Sequence, residues 1–120
     1  MKILIVDDEV HVATMLAESV QLQGHEVIVA GGGEEGLALL EQHRPDAVFL
    51  DIVMPRLSGL EVLRQIRERV KALPVIIITG HASPAQIEEA KRLGATDCIQ
   101  KPFVLNQLQK ALGRLKREKT

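Results

Sequence analysis

Two phenylalanines are the only aromatic residues in this chain of 120, and tryptophan and tyrosine are absent. Platforms on which bases or sugars stack are therefore nearly lacking. A single cysteine, Cys98, excludes an internal disulfide and makes the cytoplasm the default compartment. No apolar run reaches the roughly 18 residues that a membrane-spanning helix needs. The opening Met1-Lys-Ile-Leu-Ile-Val-Asp7-Asp8 turns acidic too early for a signal peptide. The formal net charge is -1, so no global field recruits nucleic acid. Repeats, low-complexity segments and internal linkers are also missing.

What is present is an ordinary globular composition, 46% hydrophobic and 26% charged. The length suits one domain over 1–120, with a core over 2–115 and a polar tail at 116–120. Lys2–Val6 is a short β-branched apolar run that predicts a first strand. Val10, Ala13, Leu16 and Val20 follow at helical spacing, and Gly24 stops that helix. Glu26–Ala30 predicts a second strand. Gly33 is expected to cap a second helix with inner residues Leu37, Ala38 and Leu40, which Gly36 weakens by about 1 kcal/mol and Pro45 ends. Asp46-Ala-Val-Phe-Leu-Asp51 is an apolar run into a carboxylate, the form of a strand buried on both faces. Ser58-Gly-Leu-Glu61 predicts a capping box for a third helix with a stripe of Leu60, Leu63, Ile66 and Val70. Pro74–Thr79 is a fourth strand, and Ser83-Pro-Ala-Gln86 a second capping box ahead of a helix that Gly94 closes. Asp97–Gln100 is a short fifth strand. A fifth helix carries Leu105, Leu108, Leu112 and Leu115, with Asn106 as a late cap. Strands alternating with helices at this spacing give an α/β fold: a parallel sheet with helices on both faces.

In such a sheet every strand ends at one edge, where ligands bind. The residues that end the strands are Asp7, Asp8, Asp51, Thr79 and Lys101. Singly each reads as a routine loop residue; together they read as a site. Three close carboxylates repel unless a cation intervenes. An all-oxygen site with few protein ligands suits Mg²⁺. Lys101 adds a point charge for phosphoryl oxygens and Thr79 a hydrogen bond. Asp51, at the centre, can act as a nucleophile that forms an acyl phosphate.

The motifs Ile-Val-Asp7-Asp8-Glu, Leu-Asp51-Ile-Val-Met-Pro55 with Gly59, Ile-Ile-Thr79-Gly, and Gly94-Ala-Thr-Asp-Cys-Ile-Gln-Lys101-Pro-Phe103 resemble those of the two-component response regulator receiver domain, the CheY-like family. The likeness covers Ile3 to about Leu115. It implies a flavodoxin-like (βα)5 three-layer sandwich with strand order 2-1-3-4-5. It implies a switch, not an enzyme with an external substrate. Asp51 would accept a phosphoryl group from the phosphohistidine of a sensor histidine kinase or histidine phosphotransfer protein. Asp8 and Asp51 would ligate Mg²⁺ (or Mn²⁺) directly, Asp7 through water, and the Val53 backbone carbonyl would complete the protein ligands. Thr79 would move to the phosphoryl oxygen, Lys101 would pair with it, and the Lys101–Pro102 bond would be cis. A downstream effector would read the change. Homodimerisation through the fourth helix, fifth strand and fifth helix is a further expectation, with Lys91, Arg92, Asp97, Lys110 and Arg114 as the charges. No contact of this chain with nucleic acid or membrane is expected.

Departures from the family pattern matter as much. Cys98 stands three before Lys101, where the family usually has Tyr or Phe. Read as a small buried hydrophobe, it cannot report phosphorylation by flipping a ring. Ser58 replaces a more frequent Asp before Gly59 but still caps. Val53 and His81 flank the expected phosphate site; only His81 has a polar group to orient water. The other histidines, His11, His25 and His43, read as exposed. The rivals are a phosphatase or phosphotransferase of the haloacid dehalogenase type, a flavodoxin-like cofactor binder and a pseudo-receiver used only for docking. The first wants a carboxylate where Val53 stands. The second wants a hydroxyl- and Gly-rich loop where Asp7-Asp8-Glu9 stands, and Tyr or Trp to stack on a flavin. The third is disfavoured because no site residue is missing.

Overall fold

The structure, a computed structural model, describes residues 1–80, 82–100 and 110–114. Five strands, β1 (Lys2–Val6), β2 (Glu26–Ala30), β3 (Ala47–Leu50), β4 (Val75–Thr79) and β5 (Asp97–Gln100), pair in parallel in the order β2-β1-β3-β4-β5. Four helices, α1 (Val10–Leu22), α2 (Gly33–His43), α3 (Gly59–Arg69) and α4 (Pro84–Arg92), connect them, and residues 110–114 form part of a fifth, α5.

The strand side chains alternate between two cores, because successive residues of a strand face opposite ways. Leu4, Val6, Val48, Leu50, Val75 and Ile77 pack with α2, α3 and α4. Ile3, Ile5, Ala47, Phe49, Ile76 and Ile78 pack with Ala13, Leu16 and Val20 of α1 and Ala111 and Leu112 of α5. β3 and β4 are buried throughout. This is the three-layer arrangement expected of βαβ units.

Several local expectations hold. Gly24 and Gly94 follow α1 and α4 with φ of +90° and +94°. Ser83 and Gln86 form the full capping box, with Pro84 in the first turn. Others need correction. The cap of α2 is Gly32 and Gly33 is its first residue. Its inner face is Gly33, Gly36, Leu37 and Leu40, while Ala38 is exposed. In α3 the buried residues are Gly59, Val62, Leu63 and Ile66; Leu60 is half-buried and Val70 lies exposed just beyond the helix. Both stripes step i, i+3, i+4, i+7 and include glycines, so a count of apolar side chains alone finds the wrong start. Ser58 Oγ accepts from the Glu61 N–H at 3.3 Å, but the Glu61 carboxylate pairs with Arg64, so only the serine half of that box forms. β4 begins at Val75, after Pro74. Val10, on the first turn of α1, is 73% exposed. His25 is buried, with its Nδ1 3.0 Å from the amino terminus, and His43 is half-buried; His11 is exposed as expected. The expectations for Leu105, Asn106, Leu108, Leu115 and the Lys101–Pro102 bond lie outside the described residues.

Candidate functional site

The pairing register builds the site. Val6 is the partner of Leu50, so Asp7 and Asp51, the next residues, leave the sheet side by side. Backbone bonds hold them there: the Asp51 N–H donates to Val6 O at 2.9 Å and the Asp7 N–H to Ala30 O at 3.1 Å. Each carboxylate is then turned by the backbone two residues on. Asp7 Oδ1 accepts from the Glu9 N–H at 2.9 Å, and Asp51 Oδ1 from the Val53 N–H at 3.0 Å. This is the local side-chain bond that aspartate makes readily in turns. Asp7 and Asp51 are both 3% exposed, whereas Asp8 is open to solvent. One carboxylate oxygen from each of the three lies within 4.8 Å of the others.

That donor set fits a hard divalent cation. It is all oxygen and triply negative, and two of the three groups are buried. Like charges gathered this closely need a compensating positive charge. The exposed Asp8 leaves one side of the pocket open to water and to an incoming group.

Thr79 ends β4, two residues beyond Ile77, which pairs with Leu50. It is 1% exposed, and its Oγ1 has no hydrogen-bond partner among the described residues. Leaving a buried hydroxyl unsatisfied costs about 1–3 kcal/mol. A hydroxyl held in this way at a strand end is available to a ligand oxygen. Val53, at 36% exposure, presents an apolar side chain beside the pocket. Lys101 and His81 lie outside the described residues.

A structural requirement that counting motifs did not reveal is the reason for Gly59. A Cβ there would stand 2.1 Å from Asp51 O and 2.3 Å from Ile52 Cα. The Gly59 N–H also donates to Ile52 O at 3.2 Å. The start of α3 thus rests directly on the backbone that carries Asp51. The signal in the sequence was a glycine placed immediately after a capping serine.

Cys98, on β5, is half-buried and packs against the core on the α4 side. Burial, then the neighbouring Asp97 carboxylate, pushes its thiol above the ordinary range, with Lys91 opposing. The thiolate is disfavoured, which agrees with a packing role and not a reactive one. Asp97 itself pairs with Arg114 of α5.

Among known proteins, the response regulator receiver domain family matches residues 3–113. The response regulator MprA of Mycolicibacterium vanbaalenii is 40% identical over 119 residues, which are 99% of this chain and 52% of that protein. MprA of Mycobacterium avium is 41% identical over 108 residues, 90% of this chain and 47% of that one. The chain therefore spans about half the length of these curated relatives. A response regulator receiver domain from Clostridium thermocellum superposes with a TM-score of 0.92 at 32% identity, covering 98% of this chain and 95% of the other. The receiver domain of NtrX from Brucella abortus gives 0.89 at 37% identity, covering 94% and 96%. Chemotaxis protein CheY4 of Vibrio cholerae gives 0.88 at 34% identity, covering 95% and 97%. With the parallel sheet in the order 2-1-3-4-5 and the acidic pocket Asp7–Asp8–Asp51 at its carboxyl edge, these matches have one meaning: the chain belongs to the response regulator receiver domains, the phosphoacceptor domains of two-component signalling.

Proposed function

We propose that Asp51 is the phosphoacceptor and that residues 2–115 act as one receiver unit, with 116–120 as a polar tail. The observation that carries this reading is the convergence of three carboxylate oxygens within 4.8 Å, with Asp51 buried between β1 and β4. The carboxylate of Asp51 attacks phosphorus, and the bond from phosphorus to the donor's imidazole nitrogen breaks. That nitrogen keeps the electron pair and takes a proton from solvent. The Val53 N–H fixes the rotation of the attacking carboxylate. Thr79 Oγ1, which has no hydrogen-bond partner among the described residues, supplies a hydrogen bond to a phosphoryl oxygen. Lys101 pairs with the same group.

Mg²⁺, with Mn²⁺ as a substitute, would be held by Asp8 and Asp51 directly, by Asp7 through water and by the Val53 carbonyl. The ion would supply charge neutralisation for the donor and the acceptor pocket. The cytoplasm is the proposed setting, consistent with the absence among described residues of any helix long and apolar enough to cross a membrane. A downstream protein or domain reads the phosphorylated state. The α4–β5–α5 face, where Arg114 meets Asp97, is the proposed surface for pairing with a second copy.

The test is incubation with Mg²⁺ and acetyl phosphate followed by intact-mass measurement. A phosphoryl adduct in the wild type and none in Asp51→Asn is expected. Steady turnover of a phosphate ester would favour the haloacid dehalogenase reading, which Val53 opposes by lacking an acid group.

A further inference from the structure

Arg56 is poorly explained by the fold. Its φ is +64°, in the left-handed region that favours glycine. Its side chain is exposed and makes no hydrogen bond or ion pair among the described residues. Neither packing nor salt-bridging therefore compensates the backbone conformation. Strain that the surroundings do not repay is a pointer to function.

Its position gives that pointer a direction. Arg56 lines a groove of about 520 Å³ that also takes in Asp8, Gly31, Gly32, Met54 and Leu57. Asp8 is the open side of the acidic pocket, so the groove leads directly off the site. Gly31 and Gly32 add no side chain to the lining, and a Cβ built at either would meet nothing within 4 Å. The other charged groups facing the groove are Glu34 and Glu35, and Glu35 Oε1 already accepts from the Gly31 N–H at 3.2 Å. Arg56 is the groove's sole cation among the described residues.

We infer that Arg56 is a positioning residue for phosphoryl transfer, gathering the anionic phosphodonor at the mouth of the acidic pocket. The inference rests on the reading of Asp51 as phosphoacceptor. A guanidinium matches phosphate and carboxylate oxygens through paired N–H donors. With Mg²⁺ bound, the three carboxylates keep a residual negative charge, and Glu34 and Glu35 add to it, so an approaching dianion still meets repulsion that Arg56 opposes. In the step itself an Asp51 oxygen bonds to the phosphorus of acetyl phosphate. The phosphorus–oxygen bond to the acetyl group breaks, and acetate leaves with the electron pair. Arg56 forms no bond in this exchange; it raises the local concentration of donor, as rim charges do at other binding surfaces.

The experiment measures initial rates of adduct formation by intact mass across acetyl phosphate concentrations, with Mg²⁺ present. Wild type, Arg56→Gly and Arg56→Lys are compared at low and high salt. Arg56→Gly is expected to raise the half-saturating donor concentration about fivefold with the plateau rate kept. Arg56→Lys recovers most of the loss. The wild-type rate at subsaturating donor falls more steeply with salt than that of Arg56→Gly. The unfolding midpoint of Arg56→Gly is unchanged or higher, since glycine suits the backbone there. Equal donor dependence in all three proteins overturns the inference. So does a loss confined to the plateau and shared by Arg56→Gly and Arg56→Lys, which marks a structural effect. Absence of any adduct in wild type instead refutes the phosphoacceptor reading, and the inference falls with it.

Discussion

Gly59→Ala adds one methyl group at the most crowded contact near the site. The new Cβ would lie 2.3 Å from Ile52 Cα, where carbon atoms rest at about 3.5 Å or more, an overlap of about 1.2 Å. It would also lie 2.1 Å from Asp51 O. Both neighbours are backbone, so no side chain can rotate away. Relief requires α3 to withdraw from the segment after β3. Overpacking of this kind costs about 1–3 kcal/mol. Withdrawal also strains the Gly59–Ile52 backbone bond and the Ser58–Glu61 cap, each worth about 1 kcal/mol. The expected total is about 3–5 kcal/mol, a large part of the roughly 5–15 kcal/mol available to a domain. Since the chain has no tryptophan or tyrosine, urea unfolding is followed by far-ultraviolet circular dichroism. Gly31→Ala is the control. Its new Cβ meets nothing within 4 Å, and stability is expected to stay within about 0.5 kcal/mol of wild type. A loss below about 1 kcal/mol in Gly59→Ala would refute the claim that the start of α3 rests rigidly on the Asp51 backbone.

Three further outcomes follow from the same geometry. Arg67, at the end of α3, donates to Leu73 O at 2.6 Å and to Gly94 O at 2.7 and 3.2 Å, tying α3 to the entry of β4 and the end of α4. Burial lowers its pKa from the ordinary value, so the site is partly desolvated; Arg67→Ala should cost about 2–4 kcal/mol in urea unfolding, with Arg67→Lys recovering less than half. Thr79→Val removes a buried hydroxyl that has no partner among the described residues, and should leave stability unchanged or raise it by up to about 1 kcal/mol in thermal denaturation. Cys98 should alkylate more slowly than an unstructured thiol at neutral pH, because burial and Asp97 hold its pKa up and keep thiolate scarce; the rate should climb only at higher pH, and Asp97→Asn should move that rise toward lower pH.

The strands were legible because a parallel sheet covered on both faces demands unbroken apolar runs, and Ile3–Val6, Ala47–Leu50 and Val75–Ile78 are such runs. The site was legible for the same reason: polar residues that break these runs, Asp7, Asp51 and Thr79, must collect at one edge. The helix faces were less legible. Gly36 looked like a defect in α2, yet a Cβ there would stand 2.9 Å from Val6 Cγ2, so its bareness lets α2 approach β1. Gly33 and Gly59 likewise belong to buried stripes, and a periodicity counted on apolar side chains passes over them. The burial of His25 is not legible locally, because it follows from the parallel β1–β2 register that sets Met1 beside it. The role of Arg67 is hidden similarly: its partners are carbonyls 3–27 residues away, and any residue could supply them.

The most direct test of the central claim locates the phosphoryl group itself. After exposure to Mg²⁺ and acetyl phosphate, borohydride reduces an aspartyl phosphate to homoserine and releases phosphate, and peptide mass mapping then finds the altered residue. Homoserine at position 51, with aspartate retained at Asp7 and Asp8, is the expected result. Homoserine at Asp7 or Asp8, or an unaltered Asp51 in protein that carries phosphate, would contradict it.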